Sequence, residues 1–367
     1  MSDQQNSPIQ LDPNMALNAN KAEGLKWLSP REAPFQILGF PWLEQDGVYR
    51  RLPLKPSHPV PPAVDALANH TSGGQIRFRT DSAKLHLRVR LKAVANMYHM
   101  PATGQCGFDC YVGAPGEQLY YSTTRYNHTQ LEYEAELFYK VTEREMRDIT
   151  LNFPLYQGVE EVLVGVEPDA QVAPPTPFAG KGRVIFYGTS ITQGGCATRP
   201  GMSHTNILSR MLQYEVVNLG FSGNGRGEPE LAHIIAQIPD PACFVLEYEG
   251  NVADAESLER TLPEFIRILR ESHPKVPILV PSRIRYSREF MGKHLVNNRL
   301  AKKQVIIDTV ERLRAQGDQH LHFMDGEHLL GEAFNEATVD GSHPTDFGFY
   351  HMALGMAPVL SKLLAGR

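Results

Sequence analysis

The 367-residue sequence has little of what ties a chain to a membrane, a nucleic acid or an oxidising compartment. No apolar run approaches the roughly 18 residues that a bilayer span needs. No block of Lys and Arg stands out, and the net charge is −5. A dedicated surface for nucleic acid or anionic lipid is therefore not expected. The opening MSDQQNSPIQLDPNMALNANKAEG has neither a basic start nor an apolar stretch, and does not read as a signal peptide. Cysteines are few: Cys106, Cys110, Cys196 and Cys243. Cys-x-x-Cys spacing of the metal-binding kind is absent. Cys106 and Cys110 fall in what reads as one strand and its approach. Four strand residues cover about 13 Å, beyond the roughly 7 Å between Cα atoms that a disulfide bridges. Reduced thiols and a cytoplasmic location are the expectation. There is no internal repeat and no low-complexity tract.

What is present is an ordinary globular composition, 42% apolar and 21% charged, in a chain long enough to predict two domains. Residues 1–24 are polar and read as loose. Residues 25–170 read as short strands. The clearest is KLHLRVRLK, where Leu85, Leu87, Val89 and Leu91 alternate with Lys84, His86, Arg88, Arg90 and Lys92. That is period 2, with one face buried and one wet. QIRFRT, GFDCYVG, QLYYSTT and DITLNFPLY are similar, and no long helical pattern intervenes. The prediction is an antiparallel β-sandwich. The Pro- and Gly-rich stretch 167–182 follows, with the linker placed at 171–182. From 183 to 367 the pattern changes. VIFYG (184–188), YEVVNLG (214–220), CFVLEYE (243–249), VPILVPS (276–282) and LHFMD (321–325) are apolar runs of strand length. Helical segments separate them. In one, Leu258, Leu262, Phe265, Ile266 and Leu269 share a face; another, AKKQVIIDTVERLRAQG, ends at Gly317. This alternation predicts an α/β domain with a parallel sheet covered on both faces.

Such a sheet gathers its chemistry beyond the carboxyl ends of its strands. After the first strand, Gly188-Thr189-Ser190 delivers a serine into a glycine-rich turn. The next glycine is Gly194, so this is not the Gly-x-Ser-x-Gly elbow. It is either a tight turn or a presented nucleophile. After the second strand, NLGFSGNGRG places Gly220, Gly223 and Gly225 where backbone N–H groups can approach a ligand closely. After the third, Asn251 can donate to an oxyanion or cap the next helix. Before the last helical segment, Asp340 and His343 stand three apart. A catalytic histidine needs such a carboxylate to fix its tautomer. Asp325 and Glu327 are rival partners for that histidine. His320 and His322 share a strand face but lack a matching ligand cluster, and read as structural. His204, Arg199 and Arg226 follow the serine and glycine blocks and are candidates for the substrate pocket or for solvated surface.

In this order, the four blocks resemble the SGNH, or GDSL-type, hydrolase superfamily. GTS stands for its Gly-Asp-Ser block, NLGFSG for its glycine block, GN for its asparagine block and DGSH for its Asp-x-x-His block. Gly107-Phe108-Asp109-Cys110-Tyr111 resembles the Gly-x-Asp-Leu-Tyr motif that names the N-terminal domain of one bacterial subgroup, with Cys for Leu. The resemblance implies a flavodoxin-like sheet and a jelly-roll-like first domain. It implies Ser190 as nucleophile, His343 as base and Asp340 as its orienter. The oxyanion hole falls to the N–H groups of Ser190 and Gly223 and the side chain of Asn251. No cofactor and no metal are implied. Two departures stand out: Thr189 replaces the usual Asp, and no Asp directly follows Asn251. The implied activity is carboxylic ester hydrolysis through an acyl-enzyme, on a short acyl group of a small-molecule or carbohydrate ester. The alternatives are a lysophospholipase or thioesterase, or a carbohydrate-binding protein with an inactive hydrolase half. The segment MPATG (100–104), just before the GFDCY motif, is expected to wall the active-site mouth.

Overall fold

The computed structural model describes residue 12, residues 23–138, residue 141 and residues 143–366. The polar stretch expected over 1–24 lies outside the described residues, apart from 12, 23 and 24.

The N-terminal half is built on two antiparallel sheets. One has the order β1-β9-β4-β7, from β1 (Lys26–Leu28), β9 (Val159–Val166), β4 (Leu85–Leu91) and β7 (Glu132–Phe138). The other runs β10-β3-β8-β5-β6, with β2 (Gln36–Leu38) also on β3. Its strands are β3 (Gln75–Thr80), β5 (Asp109–Val112), β6 (Leu119–Thr123), β8 (Arg147–Asn152) and β10 (Val172–Ala173). Leu85, Leu87, Val89, Val162 and Val164 of the first sheet share a core with Ile76, Phe78, Cys110, Ile149 and Leu151 of the second. The alternation read in β4 is present at Arg88 and Arg90, which are exposed, but His86 is buried beside a register shift at Leu85/His86.

Two local readings change. Cys106 is not in a strand; it ends the one-turn helix Ala102–Gln105. All four cysteines are buried and none is in a disulfide. β3 is covered on both faces rather than one. Part of the expected linker folds over it: β10 pairs with it, and Arg77 donates to the Thr176 carbonyl at 2.7 Å with its guanidinium 3.8 Å from the Phe178 ring centre.

The C-terminal half carries a five-stranded sheet in the order β12-β11-β13-β14-β15. These are β11 (Arg183–Gly188), β12 (Glu215–Gly220), β13 (Pro241–Glu247), β14 (Ile278–Pro281) and β15 (Leu321–Met324). All pairings are parallel. Strands β11 to β14 are almost entirely buried, as expected of a sheet with helices on both faces, while the edge strand β15 fully buries only Leu321. The order 2-1-3-4-5 is the flavodoxin-like one, whose crevice opens where the winding reverses, between the first and third strands. Helix Ala255–Ser272 buries Leu258, Leu262, Phe265, Ile266 and Leu269. Each such side chain contributes about 1.5–3 kcal/mol on burial. Helix Lys293–Ala315 starts well before its apolar pattern, because its inner face buries Arg299 and Lys302. Among the described residues, no helix is long and apolar enough to cross a membrane.

The two halves are packed together. Arg51, fully buried, donates to the carbonyls of Leu67, His70, Asn218 and Gly220, the last at 2.5 Å. The guanidinium also lies 4.9 Å from the Phe221 ring centre. A cation of the first half thus holds the carboxyl end of β12.

Candidate active site

Ser190 opens the helix Ser190–Gln193 directly after β11. Thr189 is the residue just before that helix. Its hydroxyl accepts from Ile191 N at 3.1 Å, while its own N–H donates to the Thr192 hydroxyl, a reciprocal cap. Threonine at the position of the usual Asp therefore performs a capping function that Asp also serves. The turn ends at Gly194, in the left-handed region. Ser190 is 9% exposed, so most of the residue is shielded from solvent.

His343 reaches Ser190 from the far end of the chain. Its Nε2 lies 2.8 Å from Ser190 Oγ, and its Nδ1 lies 2.7 Å from Asp340 Oδ2. The loop is closed by a bridge between Thr338 and Pro344 and by Val339 N donating to the His343 carbonyl. Asp340 Oδ1 accepts from His343 N, Ser342 N and the Ser342 hydroxyl at 2.8, 3.0 and 3.1 Å. Partial burial pushes the Asp340 carboxyl up. The N–H groups and the imidazole outweigh it and hold the group well below the usual carboxylate range. Asp325 and Glu327 point elsewhere, to Lys303 and Arg299.

The other two blocks reach the turn that carries the serine: Ser222 N donates to Gln193 Oε1 at 3.1 Å, and a Cβ on Gly250 would stand 3.6 Å from Thr189 Cγ2. Gly223 adopts φ +68, which favours glycine, and a Cβ there would meet nothing within 4 Å. It is exposed, and neither its N–H nor that of Ser190 has an acceptor among the described residues. Asn251 ends a short 3-10 turn after β13, and its Nδ2 donates to the Phe221 carbonyl at 3.3 Å, which ties the asparagine block to the glycine block. The capping reading of Asn251 does not hold. Helix Ala255–Ser272 is capped by Asp254, which accepts from Ser257 N at 2.8 Å. Lys302 Nζ, buried, donates to the carbonyls of Glu249 and Val252 on either side of this turn, both at 3.0 Å.

This geometry is joined by likeness to known proteins. Residues 181–361 match the model of the GDSL-like lipase/acylhydrolase family, and residues 25–172 match that of the N-terminus of SGNH-hydrolase-type esterases. The chain belongs to the GDSL-like lipase/acylhydrolase family. It is an ester hydrolase of that type. A protein from Bacteroides ovatus described as a GDSL-like lipase is 28% identical, with a TM-score of 0.85 over 93% of this chain and 98% of that one. The salicylyl acyltransferase SsfX3 of a tetracycline biosynthetic pathway is 21% identical, with a TM-score of 0.74 over 92% and 98%. A family two carbohydrate esterase from Cellvibrio japonicus is 14% identical, with a TM-score of 0.58 over 93% and 98%. No curated protein sequence matches the chain.

Three further residues suggested for substrate contact by their place in the sequence of this esterase are distributed differently. His204 is fully buried, with Nε2 3.1 Å from Glu247 Oε2 and its ring stacked on Phe349. It lines no open pocket. Arg199 is half-buried at the contact between the two halves. It donates to Asp109 at 2.9 Å and to the Tyr111 hydroxyl at 2.7 Å, and lies 3.8 Å from the Tyr120 ring centre. Only Arg226 is exposed beside the glycine block, donating to the Gly223 carbonyl at 3.1 Å. The GFDCY motif thus has a physical task. Asp109 also accepts from Gly201 N at 2.7 Å, so the motif clamps the chain that follows the serine turn.

The 100–104 segment packs against the same region. A Cβ on Gly104 would stand 2.1 Å from the Ala197 carbonyl oxygen, and the Thr103 hydroxyl donates to the Thr198 carbonyl at 2.6 Å. Just before it, the His99 ring stands edge-on to His343, with centroids 5.8 Å apart. Sequence reading missed His99, Arg51 and Tyr156, whose hydroxyl donates to the Ser190 carbonyl at 3.2 Å. All three come from the first half, and only the GFDCY resemblance pointed that way.

Proposed function

We propose that this esterase removes a short acyl group, acetyl above all, from a hydroxyl of a carbohydrate-like alcohol. Ser190 Oγ attacks the carbonyl as His343 Nε2 takes its proton. The same imidazole returns the proton to the leaving alcohol, then activates the water that frees the acid. Asp340 holds the tautomer and stabilises the imidazolium. The N–H groups of Ser190 and Gly223 and the Asn251 amide receive the oxyanion. The observation that carries the reading is the 2.8 Å contact between Ser190 Oγ and His343 Nε2 with Asp340 behind it.

The acyl length rests on space. A cavity beside the turn that carries Ser190, lined by the neighbouring Thr189 and Ile191 with Gly250, Leu329 and Met352 among others, has a volume of about 30 Å³. That is room for about two waters, a size that suits a methyl group. The carbohydrate alcohol is supported by the likeness of the whole two-domain chain to a carbohydrate esterase. A lysophospholipase or thioesterase would need a long apolar groove beside Ser190. On p-nitrophenyl esters, kcat/KM is expected to fall about tenfold or more from acetate to octanoate. A panel of acetylated sugars should release acetate. Faster turnover of the octanoate would overturn the short-acyl reading.

Asn251→Ala is a separate test of the oxyanion role. The carbonyl oxygen gains its charge only in the tetrahedral state, so the expected loss is about 10²–10³ in kcat, with KM little changed. Because Asp254 caps the following helix, the melting temperature should move little. Asn251→Asp, which sets a negative charge beside a developing one, should be at least as damaging. Preserved kcat with a lowered melting temperature would make Asn251 a structural residue only.

A further inference from the structure

His99 and Cys196, two side chains the proposed reaction does not use, stand against one that it does. One ligand atom each from His99, Cys196 and His343 lies within 4.8 Å of the other two. His343 Nδ1 is committed to Asp340, so Nε2 is the atom it can offer. Nδ1 of His99 is buried and has no hydrogen-bond partner, an uncompensated polar group unless something binds it. Cys196 is buried and holds φ +77, a conformation that suits glycine better than cysteine. The backbone is thus held against its preference where the thiol joins two imidazoles.

We infer that His99, Cys196 and His343 form an inhibitory site for a thiophilic divalent cation, for which Zn²⁺ is the probe. Two imidazoles and a thiolate are a strong donor set for zinc and its neighbours in the affinity series, and three protein ligands leave a fourth position for water. Bonds of about 2.0–2.3 Å in a tetrahedral site set ligand atoms about 3.3–3.8 Å apart. The three groups must therefore close by about 1 Å, and all three stand on loops or turns rather than in helices or strands. On binding, the Cys196 thiol releases its proton to solvent and each imidazole gives one lone pair to the metal. No oxidation state changes. The Nε2 lone pair that would accept the Ser190 proton is then occupied, and the nucleophile has no base. The ion here is an inhibitor, not a cofactor. A first-domain residue thereby gains control over the chemistry of the second.

The test uses the full chain. Zn²⁺ should inhibit hydrolysis of p-nitrophenyl acetate, and a chelator should restore it. Cys196→Gly, which suits the left-handed backbone, and His99→Ala should retain turnover and need about tenfold or more Zn²⁺ for the same inhibition. Equal inhibition of all three proteins, or none of the wild type, overturns the site. Co²⁺ supplies a readout independent of esterase activity. Bound to Ser190→Ala, it should give a thiolate-to-cobalt charge-transfer band that Cys196→Gly abolishes. Absence of the band from Ser190→Ala overturns the site even if the esterase reading stands, and its presence upholds the site even if that reading fails.

Discussion

Ser190→Ala is expected to lower kcat by about 10⁶-fold, the scale of nucleophile removal in other triads, and to leave the melting temperature unchanged. The side-chain hydroxyl has one partner, His343 Nε2 at 2.8 Å. Removing it deletes the attacking atom but no cap and no core contact, since the turn is held by Thr189, Thr192 and Gly194. KM should change little, because the proposed oxyanion donors remain. What activity is left would come from those donors acting on water. Steady-state kinetics and a thermal melt of both proteins check this. A serine-directed phosphonate should label Ser190 alone and abolish turnover. Turnover within about tenfold of wild type would overturn the nucleophile assignment.

Asp340→Asn is expected to cost about 10⁴ in kcat while keeping the fold. The carboxylate accepts His343 Nδ1–H at 2.7 Å, which leaves Nε2 as a bare acceptor facing the serine. A side-chain amide in its place can donate to Nδ1 instead. The proton then resides on Nε2, and the base cannot take the Ser190 proton. The pH profile gives a second check. The folded Asp340 carboxyl lies below its ordinary value, which is about 3.9. Its contribution to stability is therefore fully present above about pH 4 and is lost as pH falls through the lower folded value. Asp340 stays ionised wherever esterase assays are run, so no fall in kcat/KM above about pH 5 should trace to it. Retention of kcat within about tenfold in Asp340→Asn would overturn the orienting role.

The α/β half was legible because its strands are buried on both faces and so stand out as apolar runs. Each run begins and ends within two residues of an observed strand. The four blocks were legible for the same reason, since a parallel sheet sends its loops to one edge. What escaped was polar burial. The start of helix Lys293–Ala315 carries no apolar stripe because Arg299 and Lys302 face inward, paired with Glu289, Glu327 and the carbonyls near Asn251. Arg77 in β3 is buried for a similar reason, bonded to the Thr176 carbonyl of a segment distant in sequence, while His86 in β4 is buried beside a register shift that no local pattern announces. His204 and Arg199 show the opposite error: their nearness to Ser190 along the chain suggested a pocket, while their partners Glu247 and Asp109 come from other elements. Asn251 as a cap was a fair local reading, displaced by Asp254 three residues on.

Arg51 bears on how such a chain can be inherited. A guanidinium sealed among four backbone carbonyls, two of them from β12, cannot be replaced by a neutral side chain without leaving those oxygens unmatched. A chain cut before residue 181 would open the same oxygens to water and release the glycine block that follows them. Grafting a different sandwich onto this sheet would have that effect too, unless the donor brought an arginine to the same point. The two halves are therefore poor material for domain shuffling. Recombination that separates them breaks the geometry at the serine, and selection on the esterase should keep them as one heritable unit.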